Sequence, residues 1–498
     1  MNNVLWGSIT VLLCLIGYYY SWKYYKSDKT VNAVFLLVFC GFLLRLFVSF
    51  DLYIHPWDEM LHALVAKNFL KHPLLPTLYD NPILPVDYKN WLGNHIWVHK
   101  QPFPIWGIAA SLYVFGIHEI SVRIPSILLT TTGIAITYYT ASHFFNKKVG
   151  YLSAFLYSIN GLIIEMTSGR IPTDHVDVFF LFFIQLGVFF AIKYSEKFNI
   201  TYNILCGISI GIAILCKWMP ALIVLPIWFL ILIHTKKLNN KQIFYNFIVL
   251  MFFVCLTFMP WQIYTWTYFP AEAQYSQYLN FKHITDVLDN QGGPFYYFFD
   301  GLRIHYGELI YIPFIWFFWK MFRHRKNTRY LAVAVWFLVP YIFFSFVATK
   351  MKGFTLFASP AIFMIYALFF HYLFRYRKRF RYRWIINTFL VLTIVFAIRY
   401  SLERVKPYFN LERNPKWTLD IKDLKQQGYG SRTVLFNTPH PLETMFHTDI
   451  TAYRITPDIS TINRLASEGY TILINNKEEL LPEYRNLERV KYINLSND

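Results

Sequence analysis

The chain has 498 residues, of which 55% are apolar, 20% aromatic and only 15% charged, against about 25% charged in an ordinary soluble domain. That deficit argues against a water-soluble globule, so the formal net charge of +18 must be located before it is read as a footprint for nucleic acid. Five cysteines, all in or beside apolar runs and without metal spacing, indicate neither a disulfide framework nor a zinc site.

Twelve apolar runs, each about long enough to cross a hydrocarbon core of roughly 30 Å, occupy 4–20, 31–50, 122–142, 150–166, 177–194, 201–215, 219–234, 243–263, 304–321, 330–347, 354–374 and 384–400. The short gap at Lys217 leaves room for one kinked or re-entrant element instead of two spans. The first run has no basic leader and no small-residue cleavage site, and is expected to be an uncleaved helix. With Met1 outside, the inner turns 21–30, 143–149, 193–200, 235–242, 320–329 and 375–383 hold 21 Lys and Arg against two acids, Asp28 and Glu196. The reverse orientation would put RYRKRFRYR (375–383) outside, against the positive-inside rule. The basic excess therefore sets orientation, and no nucleic-acid partner is expected.

The first outer loop, 51–121, is longer than a turn requires, and such loops usually carry function. Its segment PWDEMLHALVAKNFL (56–70) predicts a helix lying on the membrane through Met60, Leu61, Leu64, Phe69 and Leu70. Asp58 and Glu59 open that helix. Two readings fit them: favourable charge at the helix N-terminus, or a partly desolvated Asp58 acting as general base toward a hydroxyl. His55, Glu59 and His62 form a weak metal-ligand pattern, with Pro56 against a helical His55. The apolar HKQPFPIWGIAASLYVFG (99–116), broken by Pro102 and Pro104, is a second interfacial helix or a thirteenth span.

Further along, GRIPTDHVD sets Arg170, Asp174, His175 and Asp177 at the outer start of the fifth span. Acids at the edge of a span are costly and disproportionately functional; a helix cap by Asp174 is the alternative. Isolated outer cations, Lys100, Arg123, Arg170, Lys217, Lys282, Arg303, Lys350 and Lys352, point as a set to an anionic lipid or phosphate-bearing substrate. Snorkelling is the alternative for any one of them. A second long outer loop spans 264–303. After Arg399 the composition changes: TVLFNT (433–438), YTILINN (470–476) and KYINL (491–495) read as strands. Between them, 440–447, 456–469 and 477–486 read as helices or turns. The expected organisation is a transmembrane module over 1–400, including both long outer loops, and a small soluble α/β domain over 401–498 on the outer side.

Five motifs in this order, HPWDEMLHA, HKQPFPIW, FGIHEISVRIPSIL, GRIPTDHVDVFFLFF and ATKMKGFTLFASPAIFMIY, span about residues 30–375. Together they resemble the C-type membrane glycosyltransferases (GT-C fold), especially the protein O-mannosyltransferase and lipid A aminoarabinose (4-amino-4-deoxy-L-arabinose) transferase group. Three departures stand out: one extra leading helix, Lys100-Gln101-Pro102 in place of a common Lys-Pro-Pro, and Phe354 in place of a frequent tyrosine. The resemblance implies a polytopic α-helical membrane protein of GT-C type that performs inverting transfer from a polyprenyl-phosphate sugar donor to a lipid, glycan or protein acceptor. It further implies a bacterial inner membrane, with the site facing the periplasm or cell exterior and membrane lipids as neighbours.

In that reading Asp58 takes the acceptor proton. Lys100 and Lys350 hold phosphate, with Arg303 or Lys352 behind them and Arg170 and His175 as further substrate contacts. Asp174 orients the acceptor, tunes Asp58 or assists a divalent ion, the one cofactor left open; Glu59 contacts substrate or caps its helix. A membrane transporter or lipid flippase for a lipid-linked substrate is the alternative, and it requires midplane charges and broken helices in paired halves.

Overall fold

The computed structural model describes residues 2–324, 326–379, 381–476, 480–485 and 487–496. In chain order the helices are α1 (Asn3–Lys26), α2 (Thr30–Val48), α3 (Asp58–Phe69), α4 (Pro102–Phe115), α5 (Glu119–Phe144), α6 (Lys147–Ile159), α7 (Gly161–Thr167), α8 (Asp174–Lys197), α9 (Ile200–Lys217) and α10 (Val224–Thr235). They continue with α11 (Asn240–Tyr268), α12 (Pro270–Thr285), α13 (Tyr297–Tyr306), α14 (Tyr311–Arg323), α15 (Thr328–Phe346), α16 (Ser359–Tyr376) and α17 (Arg383–Val405). Every one of the twelve apolar runs falls on helix. Nine helices among the described residues are long and apolar enough to cross a membrane, or up to ten if the bent pair α6 and α7 is one span.

The remaining runs are interrupted for local reasons. At Trp218 (φ 66°) the chain turns out of α9 and re-enters α10 through a short 3-10 turn, so the gap at Lys217 separates two elements. The run 304–321 is split at Gly307, whose φ of 118° suits only glycine. The segment 99–116 becomes α4, with 14 residues. At 1.5 Å per residue it reaches only about 21 Å, too short for a thirteenth span.

Asparagine restarts the helix after four inner turns. Asn146 accepts from Lys148 and Val149 N–H, Asn199 from Thr201 N–H and Asn327 from Arg329 N–H, while Asn239 forms a reciprocal capping box with Gln242. These turns also bind one another. Glu196 accepts from Tyr139 Oη at 2.7 Å and lies 3.1 Å from His143 Nδ1, and His234 Nδ1 lies 3.1 Å from Thr328 Oγ1. At the opposite end the start of α1 meets the end of α17, Asn3 Nδ2 donating to the Lys406 and Phe409 carbonyls at 3.0 and 2.7 Å. Basic turns thus gather at one end of the bundle, and the long loops at the other.

The C-terminal region holds α18 (Lys416–Gln426), β1 (Thr433–Phe436), α19 (Pro441–His447), β2 (Thr451–Ala452), α20 (Ile459–Ser467), β3 (Thr471–Asn475) and β4 (Val490–Ile493). Its four strands are all parallel in the order β2-β1-β3-β4, with Val434 opposite Thr451, Thr433 opposite Thr471 and Leu473 opposite Lys491. Strand β1 is buried throughout, as a strand covered on both faces requires. Of the segment 477–486, read as helix or turn, the described part holds a 3-10 turn at Pro482–Tyr484; residues 477–479 and 486 lie outside the described residues.

One expectation needs correction. Helix α3 does not lie on a membrane surface: Leu61, Leu64, Val65 and Phe69 belong to an apolar core shared with α4 and with Leu424, Val434, Phe446 and Ile472 of the C-terminal region. Apolar spacing identifies a buried face without saying whether lipid or protein covers it.

Candidate active site

Arg123, from the VRIPS stretch of α5, is fully buried and organises the start of the first outer loop. Its guanidinium donates to the Ser49, Asp51 and Tyr53 carbonyls at 2.9, 2.5 and 2.6 Å and forks onto Glu59, with Nε 2.7 Å from Oε1 and Nη2 2.9 Å from Oε2. The loop therefore wraps round one cation and delivers α3 with a fixed rotation. Residues i and i+1 of a helix point about 100° apart, so Glu59 faces Arg123 while Asp58 faces outward.

Asp58 lines a cavity of about 240 Å³ with Trp57, Trp91, His99, Lys100, Tyr275 and His283 among its walls. Its Oδ2 accepts the Thr173 N–H at 2.6 Å, and its Oδ1 lies 3.4 Å from Lys100 Nζ. Burial works to raise its pKa, but the Lys100 ammonium and the Thr173 N–H outweigh it and hold the carboxyl below the usual range. Behind it, Asp174 accepts the His175 N–H and lies 3.2 Å from His62 Nδ1. Asp177 pairs with Lys217, whose ammonium sits 4.5 Å from the centre of the Phe354 ring.

Three non-glycine residues in strained backbone conformations stand directly beside these groups: Trp57 (φ 75°) before Asp58, Thr173 (φ 65°) before Asp174 and Trp218 (φ 66°) after Lys217. Such strain persists where the surroundings over-determine the backbone. Gly353 is required for a related reason. A Cβ there would fall 2.3 Å from Asp177 Oδ2 and 2.6 Å from Thr173 Oγ1.

A second, buried layer lies behind the cavity. Asp51 receives Arg170 at 2.8 and 3.0 Å and Arg413 at 3.2 Å. His55 bridges the two acids, Nε2 3.1 Å from Asp51 Oδ2 and Nδ1 2.7 Å from Glu59 Oε2, while His175 sits 3.3 Å from Glu59 and 2.7 Å from Ser126 Oγ. Arg170, His175 and Glu59 are thus engaged with protein and do not line the cavity. Arg303 pairs with Asp300 of its own helix at 2.9 Å and Lys352 is exposed, both apart from the cavity wall. Lys350 is buried with its ammonium on the Ser345 and Val347 carbonyls at 3.0 and 2.6 Å, where it closes the end of α15.

The structure also breaks up the histidine pattern. His55 precedes α3 and binds Asp51 and Glu59, while His62 turns to Asp174, so His55, Glu59 and His62 do not converge as metal ligands. Nor do the carboxylates offer a shared ligand set for a divalent ion, each being paired as described. Among the described residues no three His, Cys, Asp or Glu side chains are grouped for a metal.

Asp51, Trp57, Trp91, Tyr275 and His283 are site residues that sequence reading did not single out. Trp57 adjoins a flagged acid; the others reach the site only through tertiary folding.

The family described as dolichyl-phosphate-mannose-protein mannosyltransferase matches residues 99–261. An undecaprenyl phosphate-alpha-4-amino-4-deoxy-L-arabinose arabinosyl transferase of Wigglesworthia glossinidia brevipalpis is 24% identical over 66% of this chain and 58% of its own length. An uncharacterised protein of Aquifex aeolicus (strain VF5) is 24% identical over 67% of this chain and 63% of its own. The chain therefore matches under two thirds of the length of either relative. Among solved structures, ArnT from Cupriavidus metallidurans bound to undecaprenyl phosphate superposes with a TM-score of 0.61 at 14% identity, covering 87% of this chain and 88% of that one. Asp58, Lys100 and Asp174 thus stand on a scaffold already seen in solved structures, and the chain is an integral membrane protein of the GT-C fold, similar to the protein O-mannosyltransferase and aminoarabinose transferase group.

Proposed function

We propose that this protein is a glycosyltransferase that moves a sugar, with inversion, from a polyprenyl-phosphate-linked donor to a lipid, glycan or protein acceptor. It works at the outer face of a bacterial inner membrane. The observation that carries the reading is the pairing of Asp58 with Lys100, 3.4 Å apart on the wall of one cavity. A carboxylate and an ammonium on one cavity wall supply the two groups single displacement needs, a base for the acceptor and positive charge for the departing phosphate, once substrate enters between them and holds them on opposite sides of the anomeric carbon. The similarity to an undecaprenyl phosphate arabinosyl transferase and to a structure holding undecaprenyl phosphate supports the donor class.

The step balances without a general acid. The acceptor hydroxyl gives its proton to Asp58 as its oxygen bonds to the anomeric carbon; the bond from that carbon to the phosphate oxygen breaks, and the electron pair leaves with the phosphate. Lys100 stabilises that charge. In the resting site Lys100 pairs with Asp58, which keeps the carboxylate a weak base. Phosphate binding draws the ammonium away, and the Asp58 pKa rises as the acceptor arrives. His283, on the cavity wall, has a buried Nδ1 without a protein partner; a hydroxylated substrate would satisfy it.

The test is to incubate the purified protein in bilayers with polyprenyl-phosphate sugars and follow release of free polyprenyl phosphate. Release coupled to appearance of a glycosylated acceptor is expected. Movement of intact donor across the bilayer without release would replace this reading with transport.

A further inference from the structure

Among the described residues the C-terminal region lends none to the cavity wall. In a parallel sheet ordered β2-β1-β3-β4 the winding reverses between β1 and β3, where such sheets bind ligands. Here Asn437 Nδ2 donates to the Asn475 carbonyl at 2.9 Å and Asn475 Nδ2 to the Asn437 carbonyl at 3.3 Å, while Asn475 Oδ1 accepts the Leu495 N–H at 2.9 Å.

What the region does is grip the first outer loop on both sides of Asp58. On the near side, Arg413 binds Asp51 at 3.2 Å and the Phe47 carbonyl at 2.9 Å, and Leu52 N–H donates to the Arg413 carbonyl at 2.7 Å. On the far side, Lys67 of α3 is buried and donates to the Met445 and Thr448 carbonyls at 2.7 and 2.5 Å, at the end of α19. Beyond it, Tyr453 Oη accepts the Ile83 and Leu84 N–H groups at 2.8 and 3.1 Å.

Lys67 is the informative member. A buried ammonium is costly; this one is offset by the two carbonyls and by the Asp449 carboxylate 3.5 Å away, while the wider surroundings on both partners are an apolar core in which a methionine would pack. What an apolar side chain could not supply is direction. The ammonium locks onto the carbonyl end of α19, where a cation is favoured, and fixes the axial position of α3. Asp58 lies about two and a half turns away on the same helix, while its partners Lys100 and Thr173 stand on other elements. A shift of α3 would therefore move the carboxylate relative to both.

We propose that the C-terminal region is a positioning clamp for Asp58, acting through Lys67. The proposal rests on the transfer reading for what Asp58 does; the grip on α3 does not depend on it. The test uses the full-length protein in bilayers, with Lys67→Met, Lys67→Arg and the milder Tyr453→Phe. Hydrogen exchange of the amides of 58–69 is read beside kcat and the donor KM.

In Lys67→Met, exchange over 58–69 is expected to rise about tenfold while α8 and α9 keep their protection, and kcat to fall about tenfold with KM little changed. Lys67→Arg should recover both. If Lys67→Met does not fold, Tyr453→Phe should give the same pattern at smaller amplitude. Unchanged exchange over 58–69 in the folded variants, or raised exchange with full kcat, overturns the clamp. Raised exchange together with no sugar transfer by the unmodified protein would keep the grip on α3 and refute the transfer reading instead.

Discussion

At the scale of single residues, Asp58 and Glu59 have opposite fates. Sequence reading flagged both, and it also flagged Lys100 and Asp174, because charges at the outer edge of apolar runs are costly enough to need a reason. It could not tell which acid faces substrate; that is fixed by Arg123, 64 positions away, on the buried side of α3. Glu59→Gln is expected to lose about 3–5 kcal/mol of stability by leaving Arg123 without its counter-charge, measured by denaturation in detergent. Lys100→Met is expected to raise the Asp58 pKa, since the nearest cation is gone, and so to move the acid limb of the pH–rate profile to higher pH, because the base must be ionised. Stability should follow pH in two stages. His62 and His99 are lowered by burial to about 4 and about 3, below their unfolded value of about 6.5. Unfolded chains therefore bind more protons, and the melting temperature should begin to fall below about pH 6.5. The carboxyls of Asp51, Asp58 and Glu59 are held below their ordinary range; their stabilisation is complete above about pH 4 and is lost as pH falls through the folded values.

At the scale of elements, long apolar helices were legible, as were the short α3 and α4, whereas the breaks between helices were not. Twelve apolar runs were enough to find the bundle, since length and hydropathy dominate there. The 3-10 entry to α10, the break at Gly307 and helix α12 depend on positive φ angles and on packing, which leave little trace in composition. The placement of α3 was misread because its apolar face is covered by a strand-and-helix unit more than 350 residues downstream. Close approach is testable at Gly169, whose φ is 78° and where a Cβ would lie 2.4 Å from Glu59 Oε1. Gly169→Ala is expected to cost at least about 1 kcal/mol and to loosen the Glu59–Arg123 pair, seen as a lower melting temperature.

At the scale of the whole molecule, charge is partitioned along the bundle. The turns that hold the basic excess bind one another at one end, and the long loops, the start of α1, the end of α17 and the cavity gather at the other. That separation was visible as a count of Lys and Arg in turns, whereas the union of the first outer loop with the C-terminal region was not, because it is made by contacts such as Lys67 with Met445. A single cysteine placed at Tyr275 should react with an impermeant thiol reagent added to intact cells, and one placed at Asn239 should not; the reverse labelling would invert the orientation. The central claim, that Asp58 is the base of a sugar transfer, is tested most directly by Asp58→Asn in the bilayer assay. The prediction is a protein that folds and retains the donor but releases polyprenyl phosphate at least about 10²-fold more slowly; release at the unmodified rate would contradict it.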